Sequence, residues 1–316
     1  ERIETDSTYD AGTTTQLMWG ARSDVGCVRP HNEDSYLVQS PLFCVCDGMG
    51  GHAAGEVASS IAVETIAKTA PQSADAARLA AAVEAANAAV IEAALNGLGK
   101  PGMGCTATCA YIENDTLAIA HVGDSRAYLL HEGTLIRVTR DHSYVEELVD
   151  AGEITADEAR VHPNRSVIPR ALGSDPAMYA DHFTLHIEEG DRLILCSDGL
   201  SSMIPDSDIE NIATQSSTAQ ICVDNLVDAA LAAGGHDNVT VVVVDLVDDG
   251  VMREAQRVRR RNITIAAILA LVFVLAAGIW AYTGVTGSYY LGTYQGNVAV
   301  WRGLPGKPLG LKLHWL

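Results

Sequence analysis

At 316 residues the chain is too long for one typical domain, and a single core plus an appendage accounts for it. Its formal net charge of −19 is uneven: from Arg253 onward eight basic residues face one acid, a balance of +7, which leaves −26 on residues 1–252. A body that acidic repels nucleic acid, and it carries no basic patch, so a nucleic-acid partner is excluded. The seven cysteines contain no Cys-x-x-Cys pair and no Cys/His ligand cluster. They read as small buried hydrophobes in a reducing compartment, not as disulfides or zinc ligands.

In chain order, residues 1–15 are polar and are expected to be a disordered segment ahead of a main domain at 16–248. Alternation and β-branched content predict strands at Gln16 to Ala21, Ser35 to Gln39, Leu42 to Cys46, Thr106 to Ile112, Thr116 to Val122, Arg126 to His131, Leu135 to Val138, His182 to Ile187, Arg192 to Cys196 and Val239 to Asp245. Ala-rich helices are predicted at Gly55 to Ala70 and Ser73 to Leu95, with two more at Asp206 to Thr214 and Ala219 to Ala233. Helices paired between runs of strands argue for an α+β fold, not a regular βαβ alternation. Residues 141–174 interrupt the pattern with charged helical fragments, and a long irregular excursion of this kind is usually functional or mobile.

Residues 249–262 form a basic juxtamembrane linker with five arginines between Arg253 and Arg261, leading into 263–282, twenty residues without a charge. Twenty residues of helix cover about 30 Å, the thickness of a bilayer's hydrocarbon core, so this is a transmembrane helix. Arginines on its N-terminal flank place that side in the cytoplasm, with the tail 283–316 facing out. The expected localisation is a single-pass cell-membrane protein. The tail is too short for a stable independent core and reads as an accessory or interaction segment.

Four aspartate-centred segments recur in the main domain: Asp47-Gly48-Met49-Gly50-Gly51-His52, Gly123-Asp124-Ser125-Arg126, Ser197-Asp198-Gly199 and His236-Asp237-Asn238. Three follow apolar strand-like runs. A buried strand ending in an acid presents an oxygen at the rim of a sheet, and glycine lets the next carbonyl face the same cavity. Several such acids point to one hard-cation site, and oxygen-only ligands favour Mg2+ or Mn2+. His236 is taken as structural and Asn238 as orienting Asp237.

Arg29-Pro30-His31-Asn32-Glu33-Asp34 precedes these segments, and Gly104-Cys105-Thr106-Ala107-Thr108 and Asp237-Asn238-Val239-Thr240 complete a set of six motifs in order across Met18 to Leu246. On these residues the chain resembles the bacterial protein phosphatase 2C family, metal-dependent Ser/Thr phosphatases, in its membrane-anchored actinobacterial form. The resemblance implies two antiparallel β-sheets packed as a sandwich with helices outside, and a flap formed by 141–174. It implies Mn2+ or Mg2+, two essential ions and a possible third. Asp47 would bridge two metals, the Gly48 carbonyl would ligate the second, Asp198 and Asp237 would complete the first, and Asp124 would hold the third. Glu33 and Asp34 would act through water. Arg29, with its guanidinium fork, is the candidate phosphate clamp. His52 is either the general acid for the leaving group or a turn residue opening the next helix; relatives with a histidine two residues after the bridging acid have Met49 in its place here. The implied function is hydrolysis of phosphoserine and phosphothreonine by a metal-bridging hydroxide, opposing bacterial Ser/Thr kinases, with phosphorylated proteins as partners. The alternative is an inactive phosphatase-like membrane receptor or adaptor, whose discriminating mark, a replaced ligand, is absent at Asp47, Asp124, Asp198 and Asp237.

Overall fold

Every residue of Leu42–Cys46 is apolar, a pattern a strand tolerates only when both of its faces are buried. The computed structural model describes residues 7–13, 16–50, 54–247, 249–295, 297–303 and 314–315, and it divides into two units, Glu1–Asp249 and Gly250–Leu316. In the first unit the strands are β1 (Ser7–Thr13), β2 (Leu17–Asp24), β3 (Ser35–Gln39), β4 (Leu42–Cys46), β5 (Gly48–Met49), β6 (Gly104–Cys105), β7 (Ala107–Glu113), β8 (Thr116–Val122), β9 (Arg126–His131), β10 (Thr134–Arg137), β11 (Asp181–His186), β12 (Arg192–Cys196) and β13 (Val239–Leu246). Its helices are α1 (Ala54–Thr69), α2 (Ala76–Leu95), α3 (Tyr144–Asp150), α4 (Ala156–Val161), α5 (Asp198–Ser201), α6 (Asp206–Gln215) and α7 (Ala219–Ala232).

The strands form a six-stranded sheet, β1-β2-β13-β12-β9-β10, and a five-stranded sheet, β11-β8-β7-β4-β3, both antiparallel throughout. Alternate residues of one strand serve two cores. Phe43 and Val45 of β4 join Leu193, Leu195, Val242 and Val244 between the sheets, whereas Cys44 and Cys46 face α1 and α2. In the other sheet Ile194, Cys196, Val241 and Val243 face the α5–α7 layer. The expected α+β sandwich with helices outside is therefore what forms.

Several boundaries differ from expectation. Residues 7–13, expected to be disordered, form edge strand β1, paired with β2 from Ser7↔Asp24 to Thr13↔Met18 and pinned where Ser7 Oγ donates to Asp24 Oδ2 at 2.6 Å. Polar composition misled because this edge strand, exposed from Thr8 to Ala11 and so on both faces, depends on its ladder hydrogen bonds to β2 and not on apolar side chains. Cys27 is exposed, contrary to the expectation of uniformly buried thiols, while Cys44, Cys46 and Cys109 cluster, Cys44 Sγ lying 2.9 Å from Cys109 Sγ and 3.6 Å from Cys46 Sγ. They come together because Cys44 and Cys109 are register partners on adjacent strands.

In the second unit, α8 (Asp249–Gly287) is one continuous helix, so the stretch expected as a linker is helical backbone. Its Arg261–Gly284 portion is long and apolar enough to cross a membrane, with a mean hydropathy of 2.6 over its most apolar 18 residues. The tail forms an antiparallel hairpin, β14 (Tyr289–Tyr294) with β15 (Asn297–Gly303), joined by β16 (His314–Trp315). Gln295 sits at φ 51°, the left-handed backbone that a tight hairpin turn requires.

Phe43 is fully buried and meets Trp19 edge-on at 5.7 Å between ring centroids, across the two sheets. Phe43→Ala should therefore cost about 3–5 kcal/mol, read as a lowered midpoint in chemical denaturation, while Tyr9→Ala on the exposed edge strand should stay within about 0.5 kcal/mol of the parent.

Candidate metal centre

Antiparallel ladders explain how acids so far apart in sequence reach one edge of the sandwich. Asp47 follows β4 and Asp34 precedes its partner β3; Asp198 follows β12 and Asp237 precedes its partner β13; Asp124 follows β8 and precedes β9, which pairs with β12. In each case the end of one strand lies beside the start of its neighbour, so the acids collect on the same rim.

Local contacts hold each in place. Asp47 is gripped from both sides by Thr106: its N–H donates to Thr106 Oγ1 at 2.9 Å and its carbonyl accepts from Thr106 N at 2.9 Å. The same hydroxyl meets Ser125 Oγ at 2.6 Å, tying the Asp47 turn to the Asp124 turn. Gly48 must be glycine, since a Cβ there would lie 2.3 Å from the Glu33 carbonyl oxygen and 2.4 Å from that of Gly55. Gly199 is equally confined, with the Asn238 carbonyl oxygen 1.9 Å from where its Cβ would be.

Glu33 and Asp34 are held differently from each other. Asp34 Oδ2 accepts from Ser197 Oγ at 2.8 Å and Thr240 Oγ1 at 2.6 Å, while its Oδ1 is buried with no partner. Glu33 is fixed through its backbone, its N–H donating to Asn238 Oδ1 at 2.8 Å and its carbonyl accepting from Ser59 Oγ at 2.7 Å. The Asn238 side chain, expected to orient Asp237, is instead the hub of the Arg29 loop, donating to the carbonyls of Val25 and His31 at 2.9 Å each. Only its backbone N–H reaches Asp237, at Oδ1 and 2.9 Å.

The acids repel one another. Burial, then the charges of Asp34, Asp198, Asp124 and Asp237, push the Asp47 carboxyl well above the usual range. Burial first and Asp198 second do the same to Asp124. Asp34 is pushed up to about 7 and Asp198 to about 6, burial leading in both. The neighbouring Asp237 charge adds to the rise at Asp198, and Asp47 beside it works against that rise. Buried acids in this condition hold protons where a cation would otherwise sit. Unpartnered buried oxygens on Asp34 and Asp124 point the same way. This oxygen-only donor set fits a hard divalent cation. Among the described residues no three acids, cysteines or histidines already close on a single point.

Arg29 is half-exposed, and its Nη2 donates to Asp237 Oδ2 at 2.6 Å. The arginine is thus an ion-pair partner of the acid cluster and a cation at its mouth. His52 lies outside the described residues. The supports that sequence reading missed are Thr106, Ser125, Ser197, Thr240 and the Asn238 side chain. Hydroxyls bordering apolar strand runs, as in Thr106 and Thr240, were the available signal. A polar cleft of about 630 Å³ opens beside Asp34, lined in part by Ser7, Ser23, His31, Asn32 and Glu56, so strand β1 borders Asp34 but not Asp47, Asp124, Asp198 or Asp237, none of which lines that cleft.

Residues 20–148 match the family described as protein phosphatase 2C. The chain is 35% identical to the serine/threonine protein phosphatase PstP of Mycobacterium tuberculosis, an alignment that covers 96% of this chain and 68% of that protein. The crystal structure of the Mycobacterium tuberculosis phosphatase PstP/Ppp superposes with a TM-score of 0.70 at 42% identity, covering 74% of this chain and 100% of that one. A structure of the PstP catalytic domain in complex with 2 manganese ions gives a TM-score of 0.68 at 40% identity, covering 74% of this chain and 99% of that one. The chain belongs to the protein phosphatase 2C family of metal-dependent Ser/Thr phosphatases.

A carboxyl held above its unfolded value binds its proton better in the folded state, so its contribution to stability is complete below pH ~4 and is lost as pH rises through its folded value. With Asp198 at about 6 and Asp34 at about 7, metal-stripped protein should melt at progressively lower temperature between pH 5 and pH 7.5. Added Mn2+ or the substitution Asp198→Asn should flatten that decline. A melting temperature independent of pH in chelator would remove the repulsion inferred here.

Proposed function

We propose that Asp47, the Gly48 carbonyl, Asp198 and Asp237 hold two divalent cations, that Asp124 holds a third, and that Glu33 and Asp34 act on them through water. The observation that carries this reading is the set of mutually repelling acids on one rim, two of which keep buried unpartnered oxygens. The manganese ions in the similar PstP catalytic domain favour Mn2+ over Mg2+. When bound, such ions neutralise the phosphate dianion and lower the pKa of the attacking water toward neutrality.

The chain's own side chains supply position and charge. Thr106 fixes Asp47 at both N–H and carbonyl, and Ser197 and Thr240 restrain one oxygen of Asp34; the other, buried without a partner, would accept from water on a bound cation. Arg29 spends one N–H on Asp237, so the rest of its fork can meet the phosphate oxygens of phosphoserine or phosphothreonine. His52 is the proposed proton donor to the leaving serine or threonine oxygen, a step an imidazole near neutrality performs. The substrates are phosphorylated proteins, including Ser/Thr kinases and their targets. Arg261–Gly284 spans the membrane, with the catalytic unit on the cytoplasmic side and the hairpin outside, a reading supported by the arginines that precede the span.

Asp47→Asn removes the charge that faces both proposed ions. On a phosphothreonine peptide with Mn2+, the purified full chain should lose at least about 10³ in kcat, with its circular dichroism unchanged; a rate within tenfold of the parent would withdraw the bridging role. The topology has its own measurement. Protease added to intact cells should trim the chain beyond Tyr282 and leave the catalytic unit whole, and digestion of the catalytic unit would invert the orientation.

A further inference from the structure

The polar cleft of about 630 Å³ has no part in the chemistry proposed above, yet one of its walls is the loop that carries Arg29. His31 and Asn32 line the cleft, while Arg29 on the same loop donates to Asp237 at 2.6 Å. The loop is fixed at both lining positions. The His31 carbonyl accepts from Asn238 Nδ2 at 2.9 Å, and Asn32 Nδ2 donates to Ser23 Oγ at 2.8 Å. Arg29 and Asn32 are three residues apart, so their backbones lie within about 11 Å of each other. An extended peptide covers that distance in about three residues.

Another wall is α1. The helix buries Ala54, Ala58, Ala62 and Ile66 in the layer over the five-stranded sheet, and its period turns Glu56, Ser60 and Glu64, spaced four positions apart, to the cleft. Both glutamates are exposed. Lys68 Nζ donates to Glu64 Oε2 at 3.4 Å and offsets part of its charge. Among the described residues no ion pair or hydrogen bond holds the Glu56 carboxylate, and no lysine or arginine lines the cleft. Carboxylates and hydroxyls without a cation repel an acidic segment. They suit a guanidinium or ammonium group, whose N–H donors need acceptors and whose charge needs the opposite sign.

We infer that this cleft is a substrate subsite for a basic side chain, arginine or lysine, about three residues from the phosphorylated serine or threonine, with Glu56 as its specificity-determining carboxylate. The inference rests on the reading of Arg29 as the phosphate clamp, which sets the phosphate at one end of the loop while the cleft takes the basic side chain at the other. The two residues then act on different substrates. Arg29 serves every phosphomonoester, whereas Glu56 serves only those that carry the basic residue.

The test uses the full chain in detergent with Mn2+ and compares p-nitrophenyl phosphate with phosphothreonine peptides that carry arginine, glutamine or glutamate about three residues before or after the phosphothreonine. For at least one of the two placements, the parent should favour arginine over glutamine by about fivefold in kcat/KM, the upper end of what an exposed ion pair supplies. The difference should lie in KM and should vanish at about 1 M NaCl, where the screening length falls to about 3 Å. Glu56→Gln should abolish the preference, and Glu56→Lys should turn it toward the glutamate peptide. Both variants should hydrolyse p-nitrophenyl phosphate at the parent rate, which also shows that they fold. No preference for arginine at either placement in the parent, or a preference that survives in Glu56→Lys, overturns the subsite. Parent-like kcat/KM of Arg29→Ala on every substrate overturns the clamp reading and this proposal with it, whereas a uniform loss upholds the clamp, so the two failures are distinguishable.

Discussion

Charge repulsion among Asp34, Asp47, Asp124, Asp198 and Asp237 is the constraint around which this domain is organised. Left alone, such a buried cluster holds protons: burial first, and the neighbouring acids after it, raise the carboxyls of Asp34 and Asp198. What keeps the acids together is not attraction between them. Each is fixed to a ladder end, and the ladders are stabilised by apolar layers on both sides of both sheets. Burial contributes the largest favourable term, and the acid rim draws on it. A bound divalent cation turns the same cluster from a destabilising feature into a stabilising one.

Around the acids, short polar contacts do the positioning. Thr106 links Asp47 to Ser125 beside Asp124; Ser197 and Thr240 link Asp34 to the strands carrying Asp198 and Asp237; the Asn238 side chain fixes the loop with Arg29 and Glu33. Ser125, Ser197 and Asn238 each adjoin a proposed ligand in the chain, while Thr106, between β6 and β7, and Thr240, on β13, reach Asp47 and Asp34 from elsewhere in the fold. A displacement in one turn is therefore passed to the next through hydrogen bonds of 2.6–3.0 Å. His142 adds to this arrangement by accepting from the Gly123 N–H and holding the backbone before Asp124.

Much of the layout was legible in the chain. The runs Leu42–Cys46 and Leu193–Cys196, apolar at every position, announced strands covered on both faces, and the Ala-rich stretches announced the helices that cover them. Strand β1 escaped notice because Ser7–Thr13 buries little of either face and depends on its pairing with β2, a contact no local pattern encodes. The role of Asn238 was misassigned for a related reason. Adjacency to Asp237 suggested that partner, yet the side chain points to carbonyls more than two hundred positions away in the chain.

Local sequence by itself determined the residue types at each turn: an acid after a buried strand, and glycine at positions 48 and 199 where no side chain fits. An uncharged run of twenty residues behind five arginines marked the helix that is long and apolar enough for a bilayer. Tertiary structure alone decided that Asp47, Asp124, Asp198 and Asp237 share one rim, that Arg29 reaches Asp237, and that His142 touches Gly123. The physical reason is range. Backbone conformation and strand burial follow from neighbours a few positions apart, whereas the repulsion, ion pairing and hydrogen bonding of the site depend on which strand ends the antiparallel pairing brings side by side.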